Sequence, residues 1–358
     1  MATRADGMNH APEGKTAPVV EPGEFSFAAM HLDHGHIYGM CNGLEEAGAT
    51  LRFVYDPDPG KVQAFCEKFP GVQAAGSAGE ILQDESIRLI AAAAVPSERC
   101  ALGLLVMDHG KDYFTDKAPL TTLEQLGQAR AKVEQSGRKY AVYYSERLHV
   151  ECAVHAGRLI HDGAIGRVVQ VLGTGPHRIR AGSRPDWFFR HETSGGILCD
   201  LGSHQIEQFL SFTGAKDARV AHSKVANYHH KQYPELEDFG DATLVADNGA
   251  TGYFRVDWLT PDGLRTWGDG RTFILGTEGF IELRKYIDVA RDERSDHLFL
   301  VNHEDETHLR LKGQVGYPFF GQLILDCLNR TETAMSQEHA FKAAELAVQA
   351  QVQAERVE

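Results

Sequence analysis

The sequence lacks paired cysteines, long apolar runs and an excess of positive charge. Its six cysteines are scattered with no CxxC pair, which fits a reducing compartment better than a disulfide framework. No uncharged apolar stretch of about 20 residues is present, so no membrane span is expected. Residues 1–24 also lack the apolar core of a secretory signal. The formal net charge of -14 argues against nucleic acids and anionic membranes as partners, and we expect a cytoplasmic protein.

The composition is that of a globular protein of more than one domain. The chain has 358 residues, of which 42% are hydrophobic and 24% charged. That length exceeds the usual size of a single domain, so two domains are expected. The apolar fraction is sufficient for a sizeable core without disulfides or bound metals.

The segment from residue 25 to about residue 148 alternates between apolar strands and amphipathic helices. Strands are expected at 25–30, 51–55, 87–95, 112–115 and 140–144, with helices at 38–46, 61–69, 101–109 and 123–136. Apolar strands that alternate with helices indicate a doubly wound α/β domain with a parallel sheet. Such sheets bind ligands at the carboxyl ends of their strands.

After residue 148 the pattern changes to strands joined by short turns. One helix, at 150–162, precedes strand-like segments at 168–173, 219–228, 241–246, 251–258, 271–275 and 279–284, and a last helix covers about 338–353. This pattern predicts an α+β domain with a largely antiparallel open sheet. The predicted organisation is a flexible tail over residues 1–24, a nucleotide-binding domain over 25–148 and an α+β domain over 149–358.

The turn after the first strand has few of the glycines that a dinucleotide site usually has. In such a site the backbone and a helix N-terminus approach the pyrophosphate. Here the turn reads HLDHGHIYG, and we expect His34 and Gly35 to lie beside the cofactor. Three histidines together with Asp33 could bind a metal ion. Side chains so close in sequence within one turn cannot easily point at the same ion, however. We therefore expect turn and capping roles, and no metal.

Asp56 follows the second strand and is a candidate ligand of a ribose. It lies about 20 residues past the turn, where a carboxylate can accept hydrogen bonds from the ribose diol. The same charge would repel a 2′-phosphate, which favours NAD over NADP. A plain strand-end turn is the alternative, because Asp-Pro-Asp-Pro-Gly forms a turn in any case.

Two further segments carry a resemblance to a known family. They are Asp116-Lys117-Ala118-Pro119 and the run GGILCDLGSH from Gly195 to His204. With the strand order, they make the chain resemble the glucose–fructose oxidoreductase/inositol dehydrogenase (Gfo/Idh/MocA) family over about residues 25 to 285. The resemblance implies that Lys117 lies near a nicotinamide ring. It also implies that Asp200 and His204 are the catalytic partners in the second domain.

The chain departs from the family pattern at three places. Histidine and aspartate replace glycines in the first turn, Ala118 separates Lys117 from Pro119, and Pro96-Ser97-Glu98-Arg99-Cys100 replaces a Pro-Asn-x-x-His run. The predicted cofactor contacts are nevertheless His34, Gly35, Asp56, Val95, Pro96, Asp116, Lys117 and Glu146.

Hydride chemistry gives each catalytic candidate a role. Oxidation of a secondary alcohol requires a base for the hydroxyl proton, and His204 is suited because imidazole titrates near neutral pH. Asp200 can orient that ring, and Lys117 can stabilise the developing alkoxide. In an Arg- and aromatic-rich loop, Arg178 and Trp187 are candidates for a polyhydroxylated or carboxylated substrate.

The predicted function is an NAD-dependent oxidoreductase acting on a secondary alcohol of a sugar, cyclitol or related compound. An NAD-dependent glycoside hydrolase and a non-catalytic binding or regulatory protein of the same fold are the alternatives. In the family that the chain resembles, dimers often form through the open face of the second sheet, so a homodimer or homotetramer is expected. The predicted partner is a small polyhydroxylated molecule.

Overall fold

The computed structural model describes residues 17–357. From its start to residue 143 the elements are β1 Ser26–Met30, α1 His36–Glu46, β2 Thr50–Tyr55, α2 Pro59–Lys68, β3 Gln73–Ala74, α3 Ala78–Gln83, β4 Ile87–Ala92, α4 Arg99–Asp108, β5 Asp112–Asp116, α5 Leu123–Ser136 and β6 Tyr140–Tyr143. The rest of the chain adds α6 Ser145–Leu148, α7 Glu151–His161, β7 Val168–Pro176, α8 His191–Ser194, α9 Ser203–Thr213, β8 Ala218–Ala226, β9 Phe239–Ala246, β10 Thr251–Asp257, β11 Arg271–Gly276, β12 Gly279–Arg284, β13 His297–Asn302, β14 Glu306–Arg310, α10 Pro318–Asn329, α11 Gln337–Val352 and β15 Glu355–Val357.

The described residues divide into two compact units. The first unit contains residues 17–143 and Gly316–Phe341, and the second contains Tyr144–Val315 and residues 342–357. The division into domains at residue 148 stays a prediction, and most of the predicted tail, residues 1–16, lies outside the described residues. Within the described residues, no helix combines the length and apolar character that a membrane crossing requires.

The first unit contains the predicted doubly wound sheet. Its strand order is β3-β2-β1-β4-β5-β6, and every neighbouring pair is parallel. Strand β1 is buried at all five positions, because helices cover both faces of such a sheet. Val95 lies beyond the end of β4, which stops at Ala92, so the predicted strand over 87–95 was three residues too long.

Local sequence signals explain where the helices of the first unit begin and end. The Thr122 side chain accepts a hydrogen bond from the Gln125 N–H at the start of α5. Gly137 ends that helix with φ 66, a left-handed conformation that glycine adopts at little cost. At α2, the Asp58 side chain caps the helix and Pro59 occupies its first turn, as the proline-rich turn permits.

The second unit contains the predicted, largely antiparallel sheet. Nine strands have the order β14-β13-β12-β11-β7-β10-β9-β8-β15. Two pairs, β7 with β10 and β8 with β15, are parallel. Because β7 lies between β10 and β11, these two strands, although consecutive in the chain, do not pair as a hairpin. The fold class, a Rossmann-type domain with an α+β domain, is confirmed.

Candidate functional site

In the first unit, several polar groups contact the buried carboxylate of Asp116, which lies at the end of β5. Nδ1 of His34 lies 3.0 Å from one of its oxygens, and Nδ1 of His36 lies 2.8 Å from the other. The backbone N–H of Lys117 donates at 2.8 Å and an Arg99 nitrogen lies at 3.3 Å. Burial by itself would raise the pKa of Asp116, but its electrostatic interactions with His36, Arg99 and His34 hold it well below its ordinary value.

The guanidinium of Arg99 connects the chain segments that follow β4 and β5. It is 1% exposed and donates to the carbonyls of Ala94, at 2.7 Å, Ala118, at 3.1 Å, and Lys117. The Lys117–Ala118 peptide bond that it holds is cis. Lys117 is therefore a buried lysine whose backbone is fixed on one side by Asp116 and on the other by Arg99.

The turn after β1 separates its histidines. His34 and His36 reach Asp116, whereas the carboxylate of Asp33 pairs with Lys61 Nζ at 2.5 Å. His31, with φ 54, donates its N–H to the Tyr55 carbonyl. Three histidines with Asp33 are therefore not brought together. Burial, and after it the neighbouring charge of His36, lower the pKa of His34 to about 3, so its imidazole is neutral at pH 7.

Asp56 and Gly35 lie at the same edge of the first sheet. One oxygen of Asp56 accepts the Leu32 N–H at 2.7 Å and the other accepts the Asp58 N–H at 2.8 Å. The carboxylate is thus fixed at the end of β2 and is largely buried. Gly35 precedes α1, which has no side-chain cap, and a Cβ at Gly35 would meet nothing within 4 Å. Pro96 begins a short 3-10 turn after β4.

In the second unit, Glu146 on α6 is the centre of a buried polar cluster. Its Oε2 accepts hydrogen bonds from Lys285 Nζ at 2.5 Å and from Gln205 Nε2 at 2.8 Å. Its Oε1 is buried and has no hydrogen-bond partner in the described part of the chain; Nε2 of His177 lies 3.9 Å from it. Burial would raise the pKa of Glu146, but Lys285, His204 and His177 lower it overall.

The run from Gly195 to His204 forms a π-helical turn that continues into α9. The turn covers Leu198–Gly202 and contains the half-buried Asp200. His204 follows in the first turn of α9, is 1% exposed, and faces the ring of Tyr144 edge-on at 6.4 Å between centroids. Asp200 acts electrostatically on Arg184, a guanidinium whose pKa is lowered by burial.

The candidate substrate residues Arg178 and Trp187 have different surroundings. A terminal nitrogen of Arg178 donates to the carbonyls of Pro261, at 3.0 Å, Thr266, at 3.1 Å, and Leu264. Arg178 therefore holds the loop after β10. Trp187 lies in a short 3-10 turn, Asp186–Phe189, with its ring 6.2 Å from that of Phe188.

Comparison with known proteins identifies the family. Residues 154–282 match the model described as the GFO/IDH/MocA C-terminal domain. A presumed oxidoreductase from Erwinia carotovora atroseptica SCRI1043, known from a crystal structure, is 53% identical, with a TM-score of 0.91 over 94% of this chain and 100% of that one. The chain belongs to the Gfo/Idh/MocA oxidoreductase family.

Two curated relatives of this Gfo/Idh/MocA protein have named activities. The scyllo-inositol 2-dehydrogenase (NAD(+)) of Bacillus subtilis (strain 168) is 27% identical over 240 residues, which are 65% of this chain. The D-xylose dehydrogenase of Paenarthrobacter nicotinovorans is 25% identical over 208 residues, or 57% of this chain. The chain spans 66% and 52% of the lengths of these two relatives.

Reasoning from the sequence missed several residues that organise these clusters. Arg99 was noted only as part of a departure from the family pattern, and Lys285 and Gln205 were not singled out. Lys285 follows β12 in sequence, and a single lysine after a strand carries no signal of burial. Only the folded chain brings it to Glu146, which is 139 residues away.

Proposed function

We propose that the chain is an NAD-dependent dehydrogenase that transfers a hydride between the nicotinamide and a secondary alcohol of a sugar, cyclitol or related compound. The observation that carries the proposal is a family lysine, Lys117, fixed at the carboxyl edge of the first sheet by Asp116 and Arg99. The named activities of the two curated relatives support a polyhydroxylated substrate.

The residues around the turn after β1 fit a dinucleotide in two respects. Gly35 leaves open space before an uncapped helix, and a helix N-terminus attracts phosphate. Asp56 uses its oxygens for two backbone N–H groups, which leaves acceptor capacity because a carboxylate offers about four lone-pair sites. We propose that this remaining capacity binds the ribose diol and that its charge disfavours a 2′-phosphate.

The proposed chemistry assigns a role to each catalytic side chain. Bound NAD supplies the hydride acceptor. His204 takes the hydroxyl proton, and the negative charge of Glu146, which interacts electrostatically with His204, stabilises the imidazolium that forms. Lys117 stabilises the alkoxide character that develops as the hydroxyl is oxidised. Asp200, four residues before His204, orients the imidazole ring or stabilises its charged form.

The first test is calorimetric titration with NAD and NADP, after a check for cofactor retained during purification. We expect NAD to bind more tightly than NADP and a screen of polyols to produce NADH. Sugar release without net NADH would indicate the glycoside hydrolase instead. Absence of binding by either dinucleotide would contradict the proposal and favour the non-catalytic alternative.

A second test separates chemistry from cofactor binding. Lys117→Ala and His204→Ala should each lower turnover by about a hundredfold or more while NAD affinity stays largely unchanged. The exposed residues Lys216 and His229 provide matched alanine controls that should keep normal turnover. Turnover near the wild-type rate in either test variant would refute the assigned role.

A further inference from the structure

We propose that His34, His36 and Asp116 form a binding site for a divalent transition-metal ion such as Zn²⁺ or Co²⁺. The site lies within the first unit and needs neither a bound dinucleotide nor enzyme activity. It therefore goes beyond the proposed dehydrogenase function and can be tested separately from it.

The spacing of the three side chains suits a single ion. One ligand atom from each residue can be chosen so that all three lie within 4.8 Å of one another. Bonds of about 2.0–2.2 Å from Zn²⁺ to nitrogen and oxygen place two ligand atoms of a tetrahedral ion roughly 3.3–3.6 Å apart, which is inside that limit. The two imidazole rings approach Asp116 from different directions, since they are perpendicular with centroids 4.4 Å apart. Two histidines and one carboxylate form a recurrent transition-metal ligand set.

Nδ1 of His34 faces two groups, and only one of them can use it at a time. The backbone N–H of His36 donates to Nδ1 of His34 at 3.3 Å, so this nitrogen carries a lone pair in that bond. The same nitrogen lies 3.0 Å from a carboxylate oxygen of Asp116. An imidazole nitrogen cannot accept one hydrogen bond and donate another at the same time. A metal ion would take the place of the hydrogen bond from the His36 N–H on this lone pair and would bind the carboxylate oxygen as a neighbouring ligand.

The surroundings of Asp116 determine which ions suit the site. Arg99 and the Lys117 N–H bind the same carboxylate and orient it, as outer partners of metal ligands commonly do. Because Arg99 already balances the charge of Asp116, the two imidazole nitrogens must supply much of the affinity. Imidazole suits Zn²⁺, Co²⁺ and Ni²⁺, whereas Mg²⁺ and Ca²⁺ prefer oxygen ligands.

An ion can reach the site, and a fourth ligand has room. The side chains of His34 and His36 are 21% and 16% exposed. Gly35 between them has nothing within 4 Å of the position that a Cβ would occupy. Three protein ligands with one open position are typical of zinc sites that also bind water or a small molecule.

The experiment is titration of chelator-treated, dinucleotide-free protein with CoCl₂ and ZnCl₂, followed by calorimetry and by the visible absorption of bound Co²⁺. We expect one ion per chain and no comparable binding of Mg²⁺. His34→Gln and His36→Gln should each weaken binding by at least about tenfold, with circular dichroism confirming that both variants fold. These substitutions are preferable to Asp116→Asn, which would leave the buried Arg99 without its counter-charge.

His31→Asn is the matched control, because His31 belongs to the same turn but not to the cluster. Asparagine tolerates the positive φ of His31, so the turn should keep its conformation and its metal affinity. The site is disproved if Co²⁺ and Zn²⁺ fail to bind. It is equally disproved if folded His34→Gln and His36→Gln proteins bind as tightly as the wild type.

Discussion

Glu146 illustrates how a single buried charge serves both stability and the proposed chemistry. Lys285, which is fully buried, is its closest cation, and Gln205 adds a hydrogen bond to the same oxygen. Isolated buried charges cost several kcal/mol, so neither partner is tolerated without the other. The remaining oxygen, with no hydrogen bond in the described residues, is available to interact with His177 and His204.

Glu146→Gln should therefore lower the free energy of unfolding of the protein by about 3 kcal/mol at pH 7. The pKa of Glu146 is lower in the folded than in the unfolded chain. Its contribution is thus fully present above the unfolded value of about 4.3 and is lost as pH falls below that value. Urea unfolding should give a constant difference between wild type and variant from pH 5 to 8, and a smaller one below pH 4.

The control for this substitution is the double variant Glu146→Gln/Lys285→Met. It removes both buried charges, so the loss of stability should be smaller than the sum of the two single losses. Additive losses, or a variant as stable as the wild type, would show that the ion pair does not contribute as described.

At the scale of elements, α1 and α10 pack closely within the first unit because one of them carries a glycine. A Cβ at Gly43 on α1 would lie 2.4 Å from ring atoms of Phe320. Phe320 lies on α10, is fully buried and also contacts the ring of Phe114 on β5, with centroids 6.4 Å apart. The ring therefore has little freedom to move away.

Gly43→Ala should destabilise the protein by about 1–3 kcal/mol, the usual effect of overpacking a core. The matched control is Gly127→Ala on α5, where a Cβ would meet nothing within 4 Å. Alanine stabilises a helix interior relative to glycine by about 0.8–1 kcal/mol, so this variant should be slightly more stable. Thermal unfolding of both proteins checks the prediction, and equal shifts for the two would contradict it.

At the scale of the whole molecule, one face of the second sheet carries an apolar patch. Leu172, Tyr253, Phe273, Leu275 and Phe280 are 38–48% exposed. The strand registers place Leu172 between Tyr253 and Phe273, and Leu275 opposite Phe280. Side chains on alternate positions share a face, so these five form one patch across four strands. Such a patch is typical of a protein interface.

We expect the protein to be a homodimer or homotetramer that uses this patch. Phe273→Asp should reduce the molar mass, measured by light scattering after size-exclusion chromatography, towards that of one chain. The control is Leu105→Asp, since Leu105 is similarly exposed, at 43%, but lies on α4 of the first unit. A monomeric wild type, or an unchanged mass for Phe273→Asp, would disprove the expectation.

Much of the fold was predictable because it depends on local patterns. The strand–helix alternation of the first unit follows from apolar segments separated by turns, and α5 was predicted at its observed bounds of Leu123–Ser136. The strands His297–Asn302 and Glu306–Arg310 and the helix Pro318–Asn329 were missed. The strand order of the second sheet was also not predictable, because β7 enters between two strands that come much later in the chain.

The sequence by itself determined the two-part α/β and α+β architecture, the family resemblance and the candidates Lys117, Asp200 and His204. These features depend on periodicity and on short motifs, which are local. Only the tertiary structure decided that His34 and His36, but not His31 and Asp33, meet Asp116. It also decided that Lys285 meets Glu146 and that Arg178 holds a loop. Contacts between residues far apart in sequence depend on how the chain packs, because burial and hydrogen bonding select partners only after the elements have assembled.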